Sequence, residues 1–298
     1  MVLSILTACS ELKQSADLDE SKKTVTVTTS FLRDMVTVLV GDKVNLQMII
    51  PAGEDPHLYK PLPEDSKKIK NADLVLYHGL HFEGKMVEAL EEYGVSVSKN
   101  FSPDDLGIMD QDGEMIVDPH FWFNLDLYSM ACENAAEALG ELLPEEKDEI
   151  QKNLLAYQEQ LKETDAWIRE ELTKIPEESR YLITPHDAFN YFSRSYGMPV
   201  QAPQGVSTDS EVSSKAVEET VNLIVEKKIK AIFAESTTDP ARMEKLREDC
   251  KAKGFDVKVV HGDGQELFSD SLAPLGEPGD NFIDMVRHNV SLIVENLK

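Results

Sequence analysis

The sequence predicts an α/β protein made of two (β/α) lobes, each with a parallel sheet, joined by a long helix. Three features carry this. Short apolar or β-branched runs alternate with helical stretches from Thr24 to Tyr77, and the alternation resumes from Tyr181 to Leu297. One long helical pattern separates the two series. The 298 residues are enough for two cores. The expected boundaries are an N-terminal segment and tether over residues 1–23, a first lobe over 24–144, a connecting helix over 145–175 and a second lobe over 176–298.

The elements follow in order. Thr24 to Thr29 is rich in β-branched residues and reads as a strand. Phe31 to Val40 reads as a helix, and Val44 to Ile50 as the next strand. Ser66 to Asn71 fits the end of a helix, followed by the apolar strand Asp73 to Tyr77. From about Leu125 the pattern turns helical. Leu143-Pro144 interrupts it, and Pro144 suits a helix start, where a missing N–H costs nothing. Glu145 to Leu172 then reads as one helix, with apolar positions recurring near 150, 154, 157, 161, 165 and 168. At about 1.5 Å per residue, such a helix crosses most of a lobe-to-lobe distance. In the second lobe, Tyr181 to Thr184, Ala231 to Ala234 and Asp256 to Val260 read as strands. Ser213 to Lys228 and Ala241 to Lys253 read as helices, the latter stopped by Gly254, and Asn281 to Leu297 closes the chain as an amphipathic helix.

Charge narrows the functional classes. With 55 acidic against 30 basic residues the net charge is −25, which excludes the basic footprint of a nucleic-acid binder. It also opposes electrostatic adhesion to anionic lipid, while a negative field concentrates cations. Leu6-Thr7-Ala8-Cys9 resembles a lipobox, so lipidation is expected at Cys9, with Ser10 to Lys23 as a polar tether. Of the 3 cysteines, Cys132 and Cys250 remain. They fall on helices of different halves and are expected to be free, buried thiols.

The chemistry is concentrated in three Pro-His pairs. His57 follows Asp55-Pro56, His120 follows Asp118-Pro119, and His186 follows Thr184-Pro185. Proline fixes its own φ and pushes the preceding residue to extended geometry, so each imidazole sits on a stiff turn. Asp270, in Ser269-Asp270-Ser271, is the candidate fourth ligand. Three neutral imidazoles and a carboxylate make a ligand set for a divalent transition metal. Bound imidazoles usually give their other N–H to an oxygen, and Asp118 and Asp187 lie close enough in sequence to be candidates. His78 and His81 read as cleft-edge or surface residues, and His261 and His288 as ordinary structural histidines.

At these residues the chain resembles the metal-binding lipoproteins of bacterial ABC importers for manganese, zinc or iron(II). The stretches that carry the resemblance are Gly53 to Pro61, Ala72 to Leu80, Asp118 to Trp122, Pro185 to Phe189, Gln204 to Ser210 and Ala231 to Ser236, and it runs from about Thr24 to the C-terminus. It implies a metal site in the cleft between the lobes, with His57 and His120 from the first and His186 and Asp270 from the second. It further implies a monomer on the extracytoplasmic face of the membrane that delivers one ion to an ABC permease. The Gly53 to Pro61 loop and the Thr184 to Phe189 element resemble the manganese-uptake branch. His186, however, stands where many manganese or iron binders carry Glu, and a third imidazole also suits zinc. The expected cargo is manganese, with zinc second and iron(II) third. The rival readings are a zinc metallohydrolase, with Glu235 as a base, and a surface adhesin. The first needs an open metal position and the second needs no buried metal site.

Overall fold

The computed structural model describes residues 18–111 and 114–298, so Cys9 and tether residues 10–17 lie outside the described part. The first lobe runs β1 (Thr24–Val27), α1 (Ser30–Val40), β2 (Asn45–Met48), α2 (Pro63–Asn71), β3 (Leu74–Tyr77), α3 (Val87–Tyr93) and β4 (Val95–Ser96). The hairpin strands β5 (Ile108–Gln111) and β6 (Glu114–Val117) and helix α4 (Leu125–Leu142) complete it. Strands β2-β1-β3-β4 form one parallel sheet, with Val25 and Val27 of β1 fully buried at its centre. All four strands therefore point their carboxyl ends the same way, the edge at which open α/β sheets bind ligands. Thr29 ends the chain's run out of β1 and caps α1 by accepting from Leu32 N.

The connecting helix α5 (Lys147–Leu172) follows a 3-10 turn over Pro144–Glu146. Ile150, Leu154, Tyr157, Leu161 and Ile168 of α5 are buried, as their spacing predicts. The position expected near 165 is filled by Thr164, which is buried. Asp165 instead turns outward to Arg169 Nε at 2.8 Å and Tyr196 Oη at 2.9 Å, because a carboxylate keeps its partners where water is near. The helix packs along α1 and α4 on one side of its length.

The second lobe runs β7 (Leu182–Ile183), α6 (Asn190–Tyr196), β8 (Val200–Gln201), α7 (Ser214–Lys227), β9 (Ala231–Phe233), α8 (Ala241–Ala252), β10 (Lys258–Val260) and α9 (Phe282–Leu297), and α9 packs back on α5. Strand β7 pairs with β8 and β9 with β10, both parallel, and β7 lies beside β9. Single parallel bridges, His186 with Gln204 and Glu235 with Leu267, extend these pairings past the strand ends. Strand β4, the β5–β6 pair, α3, α6 and β8 lie outside the sequence expectation; they are short, and two- to seven-residue elements carry too few periods to register.

One continuous core crosses the seam between the lobes. Phe31 of α1, Trp122 after β6 and Phe282 of α9 are all fully buried in it, and the rings of Tyr128 and Phe282 stack at 3.7 Å. Trp122 Nε1 donates to Ser269 O at 2.9 Å across the same seam. Burial of such a ring is worth roughly 2–3 kcal/mol against about 1 kcal/mol for a neutral hydrogen bond, so apolar area dominates the joint. Cys132 and Cys250 are free and buried. Among the described residues no helix is long and apolar enough to cross a membrane.

Candidate metal centre

Each candidate ligand is delivered by a segment leaving the carboxyl end of a strand or a strand-like bridge. His57 lies on the loop between β2 and α2. Its backbone N–H donates to Asp55 Oδ1 at 2.9 Å, and the far end of the loop is pinned where Tyr59 Oη and Leu62 N both donate to Asp65 Oδ2 at 2.8 Å. Behind it, Gly84 approaches so closely that a Cβ there would sit 2.7 Å from the His57 carbonyl oxygen, and its φ of +47° suits glycine. His120 follows β6 and opens the 3-10 turn Phe121–Phe123. The hairpin positions it: Asp118 N donates to Gly107 O at 2.7 Å, and Tyr191 Oη, from the second lobe, donates to Asp118 O at 3.0 Å. His186 leaves β7, and Thr184 Oγ1 donates to its carbonyl at 3.0 Å. Asp270 follows the Glu235–Leu267 bridge, and Ser30 Oγ accepts from Leu272 N two residues on.

The structure brings these four side chains together, each offering one atom within 4.8 Å of the others. His57 Nε2 and His120 Nε2 lie 3.4 Å apart. Asp270 Oδ1 lies 3.3 Å from His120 Nε2, and Oδ2 lies 3.2 Å from His186 Nε2. These separations are short, yet His186 Nε2 and both Asp270 oxygens have no aligned hydrogen-bond partner. Buried polar atoms left this way are costly, and atoms aimed at one common point are what a cation would satisfy. His120, His186 and Asp270 are 0% exposed, and His57 is 5% exposed.

The charge states are set by neighbours as well as by burial. Burial lowers His57 to about 3, helped by His120 and His186 and only partly opposed by Asp270. At His120 burial acts the same way, but the Asp118 and Asp270 carboxylates outweigh it and raise the imidazole to about 9. At His186 burial is again outweighed, by Glu235 and Asp270, which lift it well above its ordinary value. Burial also opposes ionisation of Asp270, but His186 and His120 hold its carboxyl well below the usual range. The metal-free centre thus keeps protons on imidazoles that a dication would displace.

The outer nitrogens of two imidazoles are occupied. His120 Nδ1 donates to Asp118 Oδ1 at 2.7 Å, and Asn190 Nδ2 holds the other Asp118 oxygen at 3.1 Å. His186 Nδ1 donates to Glu235 Oε2, which also accepts from Ser269 Oγ at 3.2 Å. The sequence expectation is corrected here. Asp187 takes neither imidazole, because Asn190 holds its carbonyl and its chain turns toward Gly205. Glu235, the base of the rival hydrolase reading, sits at a strand end and orients His186. It follows β9, and β9 lies beside β7, so two parallel strand ends deliver the pair from 49 residues apart. An acidic residue just past an apolar strand that lies beside the strand leading to His186 is the signal that marks it.

His78 is a second correction. It is buried, not at a surface or cleft edge. Its ring packs against Phe82 at 4.8 Å and Trp122 at 5.2 Å, its Nε2 meets Thr29 Oγ1 at 2.8 Å, and burial lowers it to about 3. Phe82 in turn meets the His57 ring edge-on at 5.0 Å, so His78 backs the wall behind the centre. His81 is exposed, His261 is exposed against Glu244, and His288 Nε2 meets Glu266 O at 2.9 Å; none joins the centre.

The family model described as the periplasmic component A of zinc-uptake complexes matches residues 25–296. The manganese-binding lipoprotein MntA of Bacillus subtilis (strain 168) is 37% identical over 298 residues, covering 98% of this chain and 95% of its own. The zinc-binding protein TroA of Treponema pallidum (strain Nichols) is 37% identical over 303 residues, covering 100% and 96%. A solved structure of TroA, described for its metal-binding specificity, is 62% identical with a TM-score of 0.92, covering 93% of this chain and 100% of that one.

Proposed function

The chain belongs to the family of periplasmic zinc-uptake components, the solute-binding proteins of manganese and zinc ABC importers, and from that premise we propose that it captures one divalent transition-metal ion between His57, His120, His186 and Asp270. Its relatives are metal-binding transport proteins rather than enzymes, and the ion is cargo. The observation that carries the ligand assignment is the convergence of three imidazoles on one carboxylate, with His186 Nε2 and both Asp270 oxygens buried without an aligned hydrogen-bond partner. The ion enters the cleft, displaces protons from the imidazoles, and is handed to a membrane permease. The lobes are taken as residues 24–144 and 176–298, with 145–175 as the segment joining them.

Manganese is the proposed cargo. Asp270 turns one oxygen toward His120 and the other toward His186, so both can bind the same ion. Three imidazoles and a bidentate carboxylate give a five-coordinate ion, which suits manganese or iron(II) better than the tetrahedral preference of zinc. Zinc is the second reading, favoured by the third imidazole at His186 and by the zinc-binding name of TroA. Since relatives such as MntA are lipoproteins, lipidation of Cys9 would hold the protein, as a monomer, on the extracytoplasmic face of the membrane.

The test is the metal content of protein purified without added metal, followed by manganese and zinc competition. One equivalent that disappears in His120→Ala supports the centre, and manganese retained against modest zinc supports manganese uptake. Zinc that manganese cannot displace moves the reading to zinc. No metal under any condition overturns it.

A further inference from the structure

Resting on that transport reading, we infer that Thr208 and Ser271 form a clasp on the His57 loop and set how long the ion stays bound. The loop reaches across the seam twice. Thr208 Oγ1 donates to Asp55 Oδ2 at 2.6 Å, while the other oxygen of the same carboxylate accepts from His57 N at 2.9 Å. Gly53 N donates to Ser271 Oγ at 2.8 Å, and Ser271 is itself held by Ser30 Oγ at 3.1 Å. Each tie ends beside a different candidate ligand of the second lobe. Ser271 follows Asp270, and Thr208 lies where Gln204, the bridge partner of His186, donates to Thr208 O at 2.8 Å. The loop is thereby fastened to both second-lobe ligand segments by side chains outside the four candidate ligands.

Exposure gives the clasp its direction. His57 is 5% exposed where His120, His186 and Asp270 are 0%, so the way out passes His57. The outer side of the loop has room to move, because Gly53, Asp55, Leu58 and Leu62 border an open cleft of about 550 Å³ that Thr237 also lines. Release then requires the Asp55–Thr208 and Gly53–Ser271 bonds to break and the loop to swing outward. Asp55 and Thr208 make the stronger tie, since a carboxylate acceptor roughly doubles a hydrogen bond. Thr208 and Ser271 are positioning residues, acting on the ion through Asp55, Gly53 and the loop.

The test is stopped-flow release of zinc into excess chelator from full-length protein loaded with one equivalent. Thr208→Val should release zinc roughly tenfold faster, with a smaller change in association rate. Thr208→Ser, which keeps the hydroxyl, should restore slow release, and Ser271→Ala should accelerate it independently of Thr208. A role confined to folding would lower the thermal midpoint of the metal-free protein without separating Val from Ser in release rate, and that pattern overturns the clasp. So does a folded Thr208→Val or Ser271→Ala protein that releases zinc at the wild-type rate. Wild-type protein that takes up neither zinc nor manganese would overturn the transport reading with it.

Discussion

Glu235 Oε2 accepts the Nδ1 proton of His186, 49 residues away in sequence and fully buried, and it does so where the ends of β9 and β7 lie side by side. The bond fixes which imidazole nitrogen faces the centre. Glu235→Gln keeps the shape but replaces a charge-assisted acceptor with an amide. Metal affinity should fall about 10- to 100-fold by chelator competition, with the stoichiometry at saturation unchanged. Asp118→Asn should act in the same direction through His120. Wild-type affinity in Glu235→Gln would mean that the remaining contacts fix His186 without it.

Proton release should accompany metal binding. Asp118 and Asp270 overcome the burial that lowers His120 and raise it to about 9, so the metal-free site still carries that proton at neutral pH. A ligand nitrogen must shed its proton before it binds, so protons and metal compete. Affinity should therefore fall as pH falls, and the binding heat at pH 7.5 should scale with the ionisation enthalpy of the buffer. His57, lowered to about 3 chiefly by burial, adds no proton in this range. Binding heats independent of buffer would contradict the charge state assigned to His120.

Much of this was readable in the sequence because it is written in local signals. Proline before His57, His120 and His186 marks stiff turns, and β-branched runs followed by helical periods mark β1–α1 and β9–α8. The partners of the imidazoles divide on the same principle. Asp118 is two residues from His120 and could be foreseen, whereas Glu235 reaches His186 only because β9 packs beside β7, which no local window contains. Asp187 was the misleading neighbour: sequence proximity does not fix direction, and its chain turns toward Asn190 and Gly205. His78 looked like a surface residue in Tyr77-His78-Gly79, but the turn after β3 folds it beneath Phe82 and Trp122. The cross-seam ties of Asp55 and Gly53 to Thr208 and Ser271 were likewise out of reach, because each spans more than a hundred residues.

Asp34 makes a prediction about stability. It lies on α1, buried, where Oδ2 accepts from Phe282 N at 3.0 Å at the start of α9 and from Tyr157 Oη at 3.5 Å. Burial is the main cause that pushes its carboxyl up from 3.8 to about 6, with those hydrogen bonds and Arg33 pulling only part of the way back. A carboxyl raised on folding favours the folded state when protonated. Its contribution is fully present below pH 3.8 and lost as pH rises through about 6. At pH 8 the ionised group costs about 2–3 kcal/mol. Asp34→Asn keeps an acceptor for Phe282 N and should stabilise the metal-free protein at pH 8 by roughly 1–3 kcal/mol, with the gain closing toward pH 4. Denaturant melts across that range decide it, and a loss of stability at pH 8 would show that the anion itself is needed at the start of α9.

The seam between the lobes limits how far they can part. Phe31, Trp122 and Phe282 are fully buried within one core shared by both, and Tyr128 stacks on Phe282 at 3.7 Å. Arg33 Nη2 donates to Asp280 O at 2.8 Å, and Trp122 Nε1 to Ser269 O at 2.9 Å, along the same line. A wide hinge swing would expose those rings, at roughly 2–3 kcal/mol each, far more than one loop's hydrogen bonds return. On the proposed reading, metal release then comes from local movement, of the His57 loop above all, with α5 packed against α1, α4 and α9. In solution scattering, the radius of gyration, about 19 Å for a compact chain of this length, should change by less than about 1 Å between metal-free and metal-loaded protein. A compaction of several ångströms would show that the shared core opens with the site, and that the connecting helix is a hinge rather than a strut.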